Sequence, residues 1–298
     1  MEYNSRSCIR AAINLSFVRQ DEIEQQQTLR KERLRRVCRK IGLGKEENLV
    51  KKGRIYNRVK LQQLFTAHAY NVSYCAVPKV GTRFYRGLFA NLNGFYNLSS
   101  REVLHQQVKF SLASLPMEEI HTSLTKQRTF LFVREPFTRI LSAYLDKFIA
   151  NNKDFEKRFG TEIIRKYRQN ATRSSLTKGN DVTFPEFITY LTNLKTRDHV
   201  DKHWSRYTSL CHVCHLRYDF IGLFENMATE GPYVLHNIIR INKTMTNWKE
   251  SRTRHLLFEY YSKIDKKKLR MVREIYRTDA ELFGYSVPDS LQPLLAQD

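Results

Sequence analysis

Apolar positions along this chain fall into two textures. Across Asp21–Lys40 and just beyond it, Ile23, Leu29, Leu34, Val37 and Ile41 recur at loose helical spacing among Gln, Glu, Arg and Lys, which predicts one charged helix. A Gly- and Lys-rich stretch from Gly42 to Gly53 then reads as a link. From Asn71 the texture changes. Val72-Ser73-Tyr74-Cys75-Ala76-Val77 is a β-prone run ended by Pro78 and Gly81. Phe84, Leu88, Phe89 and Leu92 follow on one side of a predicted helix. Thr129–Val133 is almost wholly apolar, as expected of a strand buried on both faces. Pro136 stands where a first helical residue would, and Ile140, Leu141, Tyr144 and Phe148 mark the helix after it. Two strand–turn–helix units with apolar strands predict an α/β fold, a parallel sheet with flanking helices. The second half reads as mostly helical, with helices expected over 162–173, 184–194 and 262–282. The chain shows no internal repeat. It divides into a basic helical extension, residues 1–65, and a main domain, residues 66–298.

Charge narrows the partners. The 298 residues carry a formal net charge of +21, which predicts a polyanion: nucleic acid, an acidic membrane surface or an acidic polymer. The cluster from Arg30 to Lys40 could contact nucleic acid, but a solvated helix face explains it more simply. No run of eighteen or more apolar residues occurs, so no membrane-spanning helix is expected. The segment from Ala11 to Val18 is too short and polar for a signal peptide. N-glycosylation triplets begin at Asn14, Asn71, Asn97, Asn170 and Asn242, where roughly two would arise by chance. That excess points mildly to a secretory compartment. The cysteines are Cys8, Cys38, Cys75, Cys211 and Cys214; an odd count leaves at least one thiol free or intermolecular.

Two stretches suit phosphate. In Pro78-Lys79-Val80-Gly81-Thr82-Arg83, a strand gives way to a helix whose unpaired N–H groups attract an anion. Gly81 permits close backbone approach, Lys79 offers a mobile cation and Thr82 a hydroxyl donor. Lys precedes the Gly, unlike the nucleotide-triphosphate loop, in which it follows. In the second stretch, Arg134 ends a buried strand, where its guanidinium can fork onto a phosphate. Ser142, eight residues on, adds a hydroxyl. Either stretch alone also reads as an ordinary turn with surface pairs such as Arg134–Glu135 or Arg139–Asp146.

Taken together and in this order, the two stretches resemble the sites with which sulfotransferases hold the 5′- and 3′-phosphates of their donor. Residues 128–148 resemble the second donor motif of Golgi carbohydrate sulfotransferases related to the HNK-1 and chondroitin 4-O enzymes. The likeness continues through Lys157–Thr161, Asn170–Thr172, Lys178–Val182, Phe184–Leu191, His203-Trp204, Cys211–His215, Tyr218–Gly222 and Leu282–Tyr285. It is strongest to the chondroitin 4-O-sulfotransferase branch and covers about residues 70 to 288, in order. The resemblance implies a P-loop-like sulfotransferase fold and a catalytic domain over 66–298. It implies 3′-phosphoadenosine 5′-phosphosulfate as co-substrate, held by Lys79, Val80, Gly81, Thr82, Arg83, Arg134 and Ser142, with no metal. It implies a chondroitin or dermatan acceptor, no nucleic acid, and a type II membrane protein of the Golgi lumen, although no anchor is visible in this sequence. One departure stands out: Thr82-Arg83-Phe84-Tyr85 replaces a family pattern such as Cys-Thr-Asn-Trp, so Arg83 puts a cation where a hydroxyl is usual.

Lys79 would stabilise the departing oxygen of the donor. The family resemblance makes His105 the first candidate for the base and His203 the second, with Glu102 as the next. Cys211-His212-Val213-Cys214-His215 also contains the C-x-x-C-H pattern of haem attachment and half of a zinc site. Structural cysteines are the plainer reading. The rival from another class is a polyanion-binding protein without catalysis, for nucleic acid or a glycosaminoglycan.

Overall fold

The computed structural model describes residues 3–43, 61–193, 200–245 and 251–296, with the side chains of the first helix described from Gln20 onward. The link predicted from Gly42 to Gly53 falls mostly outside these residues, as do the side chains of Cys8 and Asn14. In chain order the main elements are α1 (Tyr3–Lys40), β1 (Leu64–Ala67), β2 (Val72–Cys75), α2 (Thr82–Leu92), α3 (Ser100–Gln106), α4 (Met117–Lys126) and β3 (Arg128–Val133). There follow α5 (Pro136–Tyr144), α6 (Thr161–Tyr167), α7 (Arg173–Lys178), α8 (Phe184–Thr192), β4 (Phe220–Leu223), α9 (Met227–Tyr233) and α10 (Lys266–Phe283). The chain forms two compact units. Unit 1 holds residues 1–76, 83–133 and 211–248; unit 2 holds 77–82, 134–210 and 249–298.

Unit 1 contains the sheet, in the order β1-β2-β3-β4. β2, β3 and β4 run parallel, and β1 is antiparallel to β2 with Leu64 opposite Cys75. The expected α/β architecture is therefore present, with helices dominating the later chain. Burial on both faces explains the unbroken apolar run of β3. An aromatic cluster fills one side: Tyr74 stacks on Phe130 at 4.8 Å, and Tyr85 of α2 on Phe132 at 5.3 Å. Gly222 is required in β4, because a Cβ there would lie 2.2 Å from the Phe132 ring.

The helix α1 covers the free edge of β4. The Gln27 amide donates to the Ile221 carbonyl at 3.0 Å and accepts the Ile221 N–H at 2.8 Å, as a neighbouring strand would. Arg30 forks onto Glu230 at 2.7 and 3.0 Å and also donates to the Ile221 carbonyl. Arg30 is buried, which corrects the reading of its cluster as a wholly solvated face. Two disulfides fasten the same unit, Cys38–Cys214 and Cys75–Cys211. They occupy both thiols of the C-x-x-C-H pattern, which excludes them as haem or zinc anchors and bears out the structural reading.

Unit 2 is built round a helical core. Every residue of α5 is buried, among Phe184 and Phe187 of α8, Trp204, Tyr261, and Leu269, Val272 and Tyr276 of α10. The helix expected over 162–173 is two, α6 and α7. Arg168 turns extended because its guanidinium is held by Glu186 and Asp181, and the Thr172 hydroxyl then caps α7. The helices expected over 184–194 and 262–282 are α8 and α10, the latter starting at its Asp265 cap.

Candidate active site

The loop after β2 is bent by two left-handed residues, Lys79 at φ 73° and Gly81 at φ 78°. Gly81 adopts this without cost, whereas Lys79 is strained there. Left-handed residues at this spacing can turn successive N–H groups toward one side, as in an anion-binding nest. Val80 is buried, and the Thr82 hydroxyl donates to the Val77 carbonyl, closing the loop on itself.

The Lys79 ammonium meets the Asp146 carboxylate at 3.2 Å, and Lys147 meets the same carboxylate at 3.0 Å. Asp146 and Lys147 lie on a single π-helical turn, Leu145–Ile149, that extends α5. Burial lowers the Lys79 pKa more than Asp146 raises it. Burial opposes the Asp146 carboxylate, yet Lys79 and Lys147 together hold its pKa below the usual range.

Arg134 is fixed from several directions. Its backbone N–H donates to the Tyr207 hydroxyl at 2.8 Å, which donates in turn to the Arg134 carbonyl at 3.1 Å. Its guanidinium donates to the Lys79 carbonyl at 3.2 Å and to the Ser251 hydroxyl at 2.8 Å. Glu135 is buried rather than on the surface. Its carboxylate caps α5, accepting the N–H groups of Phe137 and Thr138. Arg139 does not pair with Asp146. It is buried, donates to the carbonyls of Pro78, Ser205 and Lys202, and lies 4.7 Å over the Tyr207 ring. Ser142 is buried on α5, two turns beyond Arg134.

His203 belongs to the same unit. Its Nδ1 lies 2.6 Å from Asp201 Oδ1, which also accepts the His203 backbone N–H at 2.9 Å. With Asp201 ionised, Nδ1 carries the proton and Nε2 the lone pair. Burial drives the His203 pKa down to about 4 despite Asp201, so the ring is neutral at ordinary pH. A chain of contacts joins it to the loop: Phe155 meets the His203 ring at 5.1 Å, Lys147 lies over Phe155 at 4.6 Å, and Asp146 bridges Lys147 to Lys79.

Lys79, Val80, Gly81, Thr82, Arg134, Ser142 and His203 thus all fall in unit 2. Arg83 and His105 belong to unit 1, both exposed, on α2 and α3. Glu102 is engaged in the capping box of α3, where hydrogen bonds from Ser99 lower its pKa. Sequence reasoning missed Asp201, Tyr207 and Ser251, and took Arg139 and Asp146 only for a surface pair. Asp201, two residues before His203, was the most findable, since a carboxylate that close can orient a ring.

Among the described residues no group of three or more His, Cys, Asp or Glu side chains is arranged to hold a metal ion. No helix of the described residues is long and apolar enough to cross a membrane.

No solved structure matches this chain. The sulfotransferase family model matches residues 62–286. Carbohydrate sulfotransferase 11 of Rattus norvegicus is 35% identical over 254 residues, covering 81% of this chain and 72% of the relative. Carbohydrate sulfotransferase 14 of Danio rerio is 32% identical over 243 residues, covering 79% and 65%. Carbohydrate sulfotransferase 8 of Homo sapiens is 31% identical over 241 residues, covering 76% and 56%. The family match spans the sheet, the Lys79 loop and the Arg134 strand end, and the chain belongs to the sulfotransferase family as an enzyme similar to the carbohydrate sulfotransferases.

Proposed function

We propose that the chain moves a sulfonate from 3′-phosphoadenosine 5′-phosphosulfate to the 4-hydroxyl of N-acetylgalactosamine in chondroitin or dermatan. The observation that carries this reading is the coupling of the two phosphate-type stretches. Arg134 donates to the carbonyl of Lys79, so a nest with a lysine and a forked guanidinium stand side by side in one unit. The acceptor reading rests on the similarity to carbohydrate sulfotransferases and on the net charge of +21, which suits an acidic polymer.

In this reading Arg134 and Ser142 hold the 3′-phosphate, and the loop from Lys79 to Thr82 holds the 5′-phosphosulfate. The acceptor oxygen attacks sulfur in line as the bond from sulfur to the bridging phosphate oxygen breaks. The electron pair stays on that oxygen, where the Lys79 ammonium stabilises it. The acceptor proton passes to a base, leaving a sulfate ester and 3′-phosphoadenosine 5′-phosphate. We assign the base to Nε2 of His203 rather than to His105. His203 has an orienting carboxylate and a contact chain to Lys79, whereas His105 is exposed.

A Golgi lumen location is part of the proposal. Two disulfides suit an oxidising compartment, and the asparagines of four triplets, Asn71, Asn97, Asn170 and Asn242, are exposed.

Calorimetry with 3′-phosphoadenosine 5′-phosphate tests the donor. Wild type binds, while Lys79→Ala and Arg134→Ala bind more weakly; equal binding by all three overturns the site. Radiolabelled donor with chondroitin, dermatan, heparan and neutral glycans tests the acceptor. Label on neutral glycans alone overturns the acidic acceptor. Nucleotide binding without transfer to any glycan favours the non-catalytic polyanion binder.

A further inference from the structure

Unit 1 contains a second cationic feature that shares no residue with the donor site. A cleft of about 230 Å³ opens between α1 and the segment from Val213 to Tyr218. Lys31, Arg35, Arg39 and Arg217 line it. Lys31, Arg35 and Arg39 stand four residues apart, so they share one face of α1 and climb it in steps of about 6 Å. Arg35 and Arg39 are exposed, and no ion pair engages them among the described residues. Lys31 leans toward the Asp219 carbonyl at 3.5 Å, and Arg217 pairs with the Asp219 carboxylate at 2.5 Å. The floor is apolar and held in place: the Cys38–Cys214 disulfide ties α1 to the opposite wall, flanked by Leu34 and Tyr218.

We propose that this cleft is an anchoring subsite for the acidic polysaccharide, gripping the chain at sugars other than the one that is sulfated. The inference rests on the acceptor reading above. Charge is the first argument. Lys31, Arg35, Arg39 and Arg217 line the cleft and no carboxylate is among its lining residues, so the cleft attracts an anion. Spacing is the second. A row of cations along a helix matches a polymer with repeated acidic groups better than a single small anion. The floor is the third. An apolar base under a cationic rim accepts the weakly polar faces of sugar rings while the rim takes their carboxylates or sulfates. Each exposed contact is weak, so the subsite works by adding contacts to a chain already bound elsewhere.

The test is kinetic and uses the whole chain with Arg35→Glu/Arg39→Glu. Both positions are exposed, so the fold tolerates the change. A control, Lys266→Glu/Lys267→Glu, makes the same charge change on exposed positions of α10 in unit 2. The cleft variant is expected to raise KM for polymeric chondroitin about fivefold or more. Its kcat, its KM for a chondroitin tetrasaccharide and its affinity for 3′-phosphoadenosine 5′-phosphate stay at wild-type values, and the control changes none of them. An unchanged polymer KM, or an equal rise in the control, overturns the subsite. If wild type transfers to neither acceptor, the acceptor reading itself fails. Salt elution from immobilised chondroitin sulfate then decides the subsite: earlier release of the cleft variant than of the control supports it, and co-elution overturns it. Loss of binding to single-stranded RNA with unchanged chondroitin retention also overturns it, in favour of a nucleic-acid surface.

Discussion

The two loops that face a phosphate in the proposed site are held in opposite ways. The loop at Lys79 stores strain. Two of its residues are left-handed, and its cation reaches a single carboxylate that a second lysine also claims. The strand end at Arg134 is clamped by Tyr207, Ser251 and the Lys79 carbonyl, and the helix that follows is capped by Glu135 and buried throughout. A mobile ammonium can follow charge as it develops on a departing oxygen, whereas a clamped guanidinium can only offer a fixed fork. On the proposed function, the difference predicts that the first loop governs rate and the second affinity.

The largest effect expected from this contrast is on turnover. Lys79→Ala should lower kcat about a thousandfold, the size seen when a group aimed at developing charge is removed. Nucleotide affinity should fall no more than about tenfold, since the nest of N–H groups remains. Single-turnover transfer alongside calorimetry separates the two. A loss confined to affinity would abolish the contrast.

The next effect is on stability and concerns what lies behind each loop. His203 titrates near 6.5 when unfolded and at about 4 when folded. Between those values the unfolded chain binds the extra proton. This contribution is therefore complete above pH 6.5 and is lost as pH falls, up to about 3 kcal/mol. Asp279, which accepts the Tyr207 N–H, has its pKa raised by burial to about 7. Folded, it keeps a proton that the unfolded chain releases near 3.8, so its contribution is present at low pH and lost as pH rises toward 7. The two slopes oppose each other. Urea titrations should give a shallow dependence for wild type between pH 4.5 and 6.5. His203→Gln should leave stability falling as pH rises, and Asp279→Asn should leave it rising. The same slope in both variants would contradict the assignment.

A smaller effect tests the clamp itself. Arg134→Lys keeps the charge but cannot reach the Lys79 carbonyl and Ser251 together. Affinity for 3′-phosphoadenosine 5′-phosphate should fall about tenfold to thirtyfold, equivalent to about 2 kcal/mol, with kcat within about threefold. A kcat loss exceeding the affinity loss would reverse the roles of the loops.

Much of this was legible in the sequence for a physical reason: strand, turn and helix signals are local. The run from Thr129 to Val133, Pro136 at the helix start and Gly81 at the bend each declare themselves within a few residues. What stayed hidden depends on distant partners. Arg139 reads as a surface charge until Pro78, Ser205 and Lys202 present it with carbonyls. Arg30 reads as solvated until Glu230, two hundred residues on, buries it. The strands β1 and β4 are four residues each, as is β2, but neither is followed by a Pro and Gly like the Pro78 and Gly81 that end the β2 run. The helix break at Arg168 needed Glu186 and Asp181 to be seen beside it.

The smallest expected effect probes how loosely Lys79 is held. Asp146 supports the charged form of Lys79 against burial, and it shares that support with Lys147. Asp146→Asn keeps the shape of the π turn and removes the carboxylate. Burial then acts on Lys79 with nothing to oppose it, and Lys147 adds repulsion, so the Lys79 pKa moves further below its ordinary value. In the proposed reaction the ammonium is the form that stabilises the departing oxygen, so activity should fall off at lower pH than in wild type. Below that limb, where Lys79 is charged in both proteins, the rate should change by less than about threefold. A rate–pH profile of transfer reads both features. An alkaline limb that does not move, or moves upward, would mean that Asp146 does not govern the lysine. The looseness of the first loop would then have to come from its backbone alone.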